Sequence, residues 1–163
     1  MYSPQYITKL SEDEVFVFGS NLSGFHGAGS AGFAMRGTTK NTWRTDQEFL
    51  DIKSGKNPDK RGKWAVYGVG QGFQTGKEGS SYAIATVERP GFQGKVDIKH
   101  FTAQFVLLCE FAMNHPELKF LVVKLGANRA EGGFSWLGSK NVWSVYQTLN
   151  KLLVIPSNIH LPE

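Results

Sequence analysis

The chain has 163 residues, 40% of them hydrophobic and 20% charged, with a net charge of +4. These are the proportions of a single globular domain, spanning 1–163 and large enough to bury a core. No apolar run approaches the ~20 residues of a membrane span. The N-terminal MYSPQYITKLSEDE lacks the basic-then-apolar pattern of a secretory signal, and the one cysteine, Cys109, excludes an intramolecular disulfide. A cytoplasmic protein with no membrane partner is therefore expected.

In chain order, Val15-Phe16-Val17-Phe18 is a short apolar run that predicts a buried strand ending at Gly19. Residues 20–29 read as a loop, and 30–37 (SAGFAMRG) as a helix of small residues stopped by Gly37. Residues 38–63 have no clear period, although Trp43, Phe49, Leu50 and Ile52 allow a short packed helix. Within them KSGKNPDKRGK (53–63) carries much of the positive charge. It reads as a solvated loop, and nucleic acid is not an expected partner. A strand is predicted over 63–69 (KWAVYGV), a glycine loop over 70–79 and a second strand over 81–87.

Ile98, Phe101, Phe105, Leu108 and Ala112 recur at steps of three and four, which predicts an amphipathic helix over 97–114 ended before Pro116. LKFLVVKL (118–125) is an apolar strand leading into a further glycine loop. Val142, Tyr146, Leu149 and Leu153 mark a last helix, and the tail reads as a short edge strand, since Pro156 argues against a central one.

The 19 glycines are not a low-complexity tract. They cluster at 19–37, 68–79 and 126–138, between apolar segments. Glycine serves where the backbone takes φ > 0 or approaches a ligand closely. In VFVFGSNLSGFHGAGSAGFAMRG, a strand, a glycine loop and a helix of small residues follow one another. That arrangement offers backbone N–H groups to an anion, with a tight turn and no ligand as the alternative. The mononucleotide GxxxxGK[ST] pattern is absent. GAGSAG matches the letters of a dinucleotide fingerprint, but no strand precedes Asp51, the acid at the required distance. The remaining histidines, His100, His115 and His160, have no metal spacing, so neither a metal nor a cofactor is expected.

FGSNLSGFHGAGSAGFAM resembles the first ligand loop of the macrodomain superfamily, with Asn21, Gly27, Gly29 and Gly32 in the same spacing. GSSYAIATVERPG and FLVVKLGANRAEGGFSW resemble later segments of that family in the same order, so the likeness covers roughly residues 14–150. A closer likeness is to uncharacterised phage and bacterial proteins carrying the FGSNL…HGAG signature. The macrodomain resemblance implies a three-layer α/β/α fold with a mixed, mostly parallel sheet, and binding of ADP-ribose or a cyclic or linear derivative. The implied ligand contacts are Gly19, Ser20, Asn21, His26, Gly27, Ala28, Gly29 and Ser30 in the first loop. In the loop after the apolar strand at 118–125 they are Gly126, Ala127, Asn128, Arg129, Gly132, Gly133 and Phe134.

Some family members hydrolyse ADP-ribose linkages, and Asn21 and Glu131 are the catalytic candidates for that alternative. The chain departs from the glutamate-deconjugating branch, which has a lysine where this chain has Val87 or Glu88. A phage structural protein whose glycine loops are only turns is the remaining alternative.

Overall fold

The computed structural model describes residues 7–90, 93–123, 125, 147, 151 and 155–162. Their elements are β1 (Glu14–Asn21), α1 (Gly29–Arg36), α2 (Gln47–Lys53), β2 (Gly72–Thr75), β3 (Ser80–Arg89), β4 (Gln93–Lys95), α3 (Ile98–Asn114), β5 (Lys119–Val122) and β6 (Ile159–His160). The fold is α/β with a mixed sheet in the order β2-β3-β1-β5-β6, with β4 also pairing β3. β1 is parallel to β3 and to β5, and β5 is parallel to β6; β2 and β4 run antiparallel to β3.

Val15 to Phe18 of β1 are all buried, as they must be when both faces of a strand are covered, and successive side chains enter opposite faces. Val15 and Val17 pack in a cluster with Tyr82, Ile84, Phe120 and the inward face of α3, namely Phe101, Phe105, Leu108, Cys109 and Ala112. Phe16 and Phe18 pack in a second cluster with Ala31, Ala34 and Met35 of α1, Phe49 and Ile52 of α2, and Trp64. An eight-residue helix does not hold its own shape in water, so α1 depends on this packing. Gly37, at φ 75°, ends it by sending its N–H back to the Phe33 carbonyl at 2.8 Å. No described helix is long and apolar enough to cross a membrane.

The strands at 14–21, 80–89 and 119–122 and the helices at 29–36, 47–53 and 98–114 agree with the sequence patterns, as does the edge strand of the tail. Three boundaries differ. β1 runs past Gly19 to Asn21, because Ser20 still pairs with Ala85 of β3. KWAVYGV is not a strand. The Trp64 and Ala65 N–H groups donate to the Ala34 carbonyl, at 2.7 and 3.1 Å, and Lys63 N–H donates to that of Met35, at 2.9 Å. Those amides finish the end of α1 instead of a sheet ladder, while Trp64 is buried against Phe16, 5.0 Å between ring centroids. Conversely, the segment read as a glycine loop contains β2, with the side chain of Gln74 buried and those of Phe73 and Thr75 exposed. The last helix around Val142, Tyr146, Leu149 and Leu153 lies outside the described residues, apart from Gln147 and Lys151, which are helical.

Candidate functional site

Because β1 and β5 are parallel neighbours, the chain leaves both at the same edge of the sheet. The first glycine loop, residues 22–28, follows β1 at that edge and enters α1. The loop beginning at Gly126 follows β5. Gly126, Ala127, Asn128, Arg129, Glu131, Gly132, Gly133 and Phe134 lie outside the described residues.

The first loop is built on its own polar groups. The Asn21 carboxamide accepts hydrogen bonds from Ser23 Oγ (2.6 Å) and Phe25 N–H (3.1 Å) and donates to the Phe25 carbonyl (2.7 Å). Its side chain therefore shapes the loop, as short amides commonly do in turns. Phe25 anchors the middle of the loop among aromatic rings, edge-on to Trp43 (5.4 Å), Phe49 (5.6 Å) and Tyr67 (6.4 Å).

The loop is also joined to residues 66–70. Gly68 N–H donates to the Gly24 carbonyl at 3.0 Å, His26 Nε2 meets the Val66 carbonyl at 3.1 Å, and Ser20 Oγ donates to the Gly70 carbonyl. A side chain at Gly24 would strike the backbone of Gly68 and Val69, and one at Gly70 the carbonyls of Asn21 and Leu22. These two glycines serve close backbone approach. Gln74 braces the second segment, its amide oxygen accepting from Val66 N–H and its nitrogen donating to Val69.

His26 is fully buried, edge-on to Phe18 at 5.4 Å. A carbonyl only accepts, so Nε2 carries the proton. Nδ1 has no hydrogen-bond partner. Burial pushes the imidazole down to about 4; the Val66 and Val69 carbonyls oppose that shift, and the Arg36 charge adds to it. This histidine is core and faces no solvent-filled cleft. Arg36, whose side chain is 5% exposed, reaches back along α1. It donates to the His26 carbonyl at 2.6 Å and to that of Gly27, with its guanidinium 5.0 Å over the Phe49 ring. Burial lowers its pKa, and Asp46, 4.0 Å away, opposes the shift. Sequence reading passed over Arg36, although it is the single charge in GSAGFAMR.

The entry to α1 itself is open. Ala28 is extended and exposed, no side chain caps the helix, and its first turn carries no acid. α2 and α3, by contrast, are capped by Asp46 and Asp97, which accept from Phe49 N–H (3.1 Å) and His100 N–H (2.8 Å). Gly29 takes φ 62°, its N–H donates to the Thr39 carbonyl at 3.0 Å, and a Cβ there would meet no atom of the described residues beyond its own turn within 4 Å. Ser30, half-buried, is in the same turn.

No family model matches the chain, and no curated protein or solved structure matches it. Among the described residues no group of three or more His, Cys, Asp or Glu could hold a metal ion. What the geometry brings together is the α1 entry with Gly27, Ala28, Gly29 and Ser30 at the surface. Asn21 and His26 lie beneath it as supports, and Gly19 and Ser20 lie within β1.

Proposed function

We propose that the protein binds an ADP-ribose-type nucleotide at the carboxyl edge of its parallel strands, with a phosphate against the first turn of α1. The observation that carries this reading is the missing cap. A helix start holds several N–H groups without an internal partner. The other two described helices satisfy part of that need with an aspartate, and α1 does not. Its position agrees with the rule that ligands of open α/β sheets sit beyond the carboxyl ends of the strands. The helices packed in the two core clusters support a three-layer α/β/α arrangement, the architecture in which that rule operates. Binding is favoured over hydrolysis because the Asn21 carboxamide is already engaged by Ser23 and Phe25.

The test is calorimetric titration with ADP-ribose, its cyclic and linear derivatives and NAD, on the parent chain and on Ala28→Asp. The extended backbone of Ala28 suits an aspartate cap, worth about 1 kcal/mol to the helix. The variant should melt slightly higher and lose nucleotide binding, because its carboxylate occupies the phosphate position. Heat with none of these ligands, or undiminished affinity in Ala28→Asp, removes the site from this loop.

A further inference from the structure

The net positive charge of the chain arises in one region. Residues 36–63 hold eight lysines and arginines against four acids, a surplus equal to the whole net charge of +4; the rest of the chain has ten of each. The sequence alone reads the end of this region as a solvated loop. The structure adds where the charges go. Arg61 pairs with Asp59 at 3.0 Å, Lys77 reaches over to Glu48, and Arg36 faces Asp46. Among the described residues, Lys40, Arg44, Lys53, Lys56, Lys60 and Lys63 have no acid within ion-pair distance, and all but the half-buried Lys63 are exposed.

These cations are interleaved with aromatic rings and with concave surface. Arg44 and Lys53 both lie 4.8 Å from the ring of the half-buried Trp43, and Lys63 lies 4.8 Å from that of Trp64. Two depressions flank α2. One, of about 420 Å³, is lined by Leu50, Lys53 and Lys56 with the acid Asp51. The other, of about 610 Å³, is lined by Arg36, Arg61, Lys63 and Lys77 together with the acids Asp46, Glu48 and Glu78.

We propose that this face binds the phosphodiester backbone of a nucleic acid. A basic stripe with aromatic residues and a groove is the footprint of that contact. An anionic membrane fits less well, since a membrane-seated basic face also needs apolar groups to insert. Among the described residues, the exposed large apolar ones, Leu22, Phe73, Ile98, Val106, Leu107 and Met113, all lie outside residues 36–63.

The experiment is fluorescence anisotropy with labelled single-stranded and duplex DNA and RNA, each at two salt concentrations. Four neutralised phosphates on a single strand predict an affinity loss of about fiftyfold for a fourfold rise in salt. The variant Lys53→Gln/Lys56→Gln should bind at least about tenfold more weakly, with a shallower salt dependence and an unchanged melting temperature. Lys9→Gln/Lys99→Gln removes the same net charge elsewhere and should bind as the parent does. Absence of binding at low salt, or an equal loss in both variants, overturns the proposal. So does tighter binding to polyglutamate or to phosphatidylserine vesicles than to any nucleic acid.

Discussion

Two of the helices are built to opposite plans. α3 is closed by side chains at both ends. Asp97 caps its start, and Asn158 Nδ2 reaches the Ala112, His115 and Leu118 carbonyls at its end, at 3.0, 3.1 and 3.0 Å. From its middle, Gln104 enters the sheet, accepting from Ala85 N–H at 2.7 Å and donating to the Ala85 carbonyl at 2.9 Å. α1 is finished at its end by Gly37 and supported from beneath by Arg36, while at its start, among the described residues, only the Gly29 N–H is engaged, by the Thr39 carbonyl, and no side chain caps it. The same chain that completes one helix with three side chains leaves the other with a bare alanine at its entry. A bare entry at the carboxyl edge of parallel strands has a use that a bare entry elsewhere lacks. The comparison can be broken or sharpened by disturbing each helix where it differs from the other.

The largest effect is expected at Gln104. β2 pairs with β3 as far as Ala83, and β4 begins at Val87, so Ala85 lies in the gap between them. Gln104 stands in for the missing strand. Gln104→Ala would leave a buried N–H and a buried carbonyl without partners, at about 1–3 kcal/mol each. We expect a loss of about 3 kcal/mol in chemical denaturation. A loss below ~1 kcal/mol would mean that water or a shifted β4 fills the gap.

Acid should separate the two regions next, because His26 beneath the α1 loop is held near 4 against an ordinary value of 6.5. Above pH 6.5 the ring is neutral in folded and unfolded chains, and stability does not depend on it. As pH falls from 6.5 towards 4 the unfolded chain takes up a proton that the folded chain refuses, so stability falls, by about 3 kcal/mol in all. The unfolding free energy should therefore drop by about 2–3 kcal/mol more between pH 7 and 4.5 in the parent than in His26→Gln. Equal acid sensitivity of the two would mean that the ring is more accessible than its burial indicates.

Asn158 is the third test. Removing its amide in Asn158→Ala strips the capping donor from the end of α3 and should cost about 2 kcal/mol. Loss of helical signal by circular dichroism before the main transition would show that the C-terminal turn frays first. A single unchanged transition at the parent's midpoint would mean that the three carbonyls have other donors.

What could be read from the sequence follows the reach of each interaction. β1, β3, β5 and α3 carry their burial in the period of their own residues, and Gly37 announces the end of α1. KWAVYGV reads wrongly because its apolar content is real while its amides serve the end of α1, and nothing local records that partner. β2 is hidden because Phe73, Gln74 and Thr75 alternate over too few residues, between glycines. At the site, the glycines and Asn21 were legible as a strand-to-helix turn. The tertiary roles were not. His26 looks like a loop residue until Val66 is placed beside it, and Arg36 looks like a surface charge until it turns back to the carbonyls of His26 and Gly27. Gly24 and Gly70 fall within the glycine clusters with no sign of their role, which is to be small where two backbones meet.

The smallest effect on stability, and the one that bears most directly on the open helix start, is expected at Gly29. Its φ of 62° lies in the left-handed region, so an alanine there is strained by about 1 kcal/mol. Among the described residues beyond its own turn, no atom lies within 4 Å of the added methyl, so none of them adds a clash to that strain. The expected fall in stability is therefore small, and it is set by backbone conformation alone. Nucleotide affinity should respond more strongly. A phosphate that approaches the first turn of α1 must come close to the Gly29 backbone, and a methyl group in that open space stands in its path. Affinity for ADP-ribose should drop at least tenfold, about 1.4 kcal/mol, in a chain whose melting temperature falls by only a few degrees. The two readouts must be taken on one preparation, because strain that partly unfolds the loop would also weaken binding. Gly55 supplies the control. It too has positive φ, at 80°, with nothing near its missing side chain, and it lies beyond α2, away from the α1 entry. Gly55→Ala should cost similar stability and leave affinity unchanged. If both variants lose affinity equally, strain explains the loss and the α1 entry is no phosphate site.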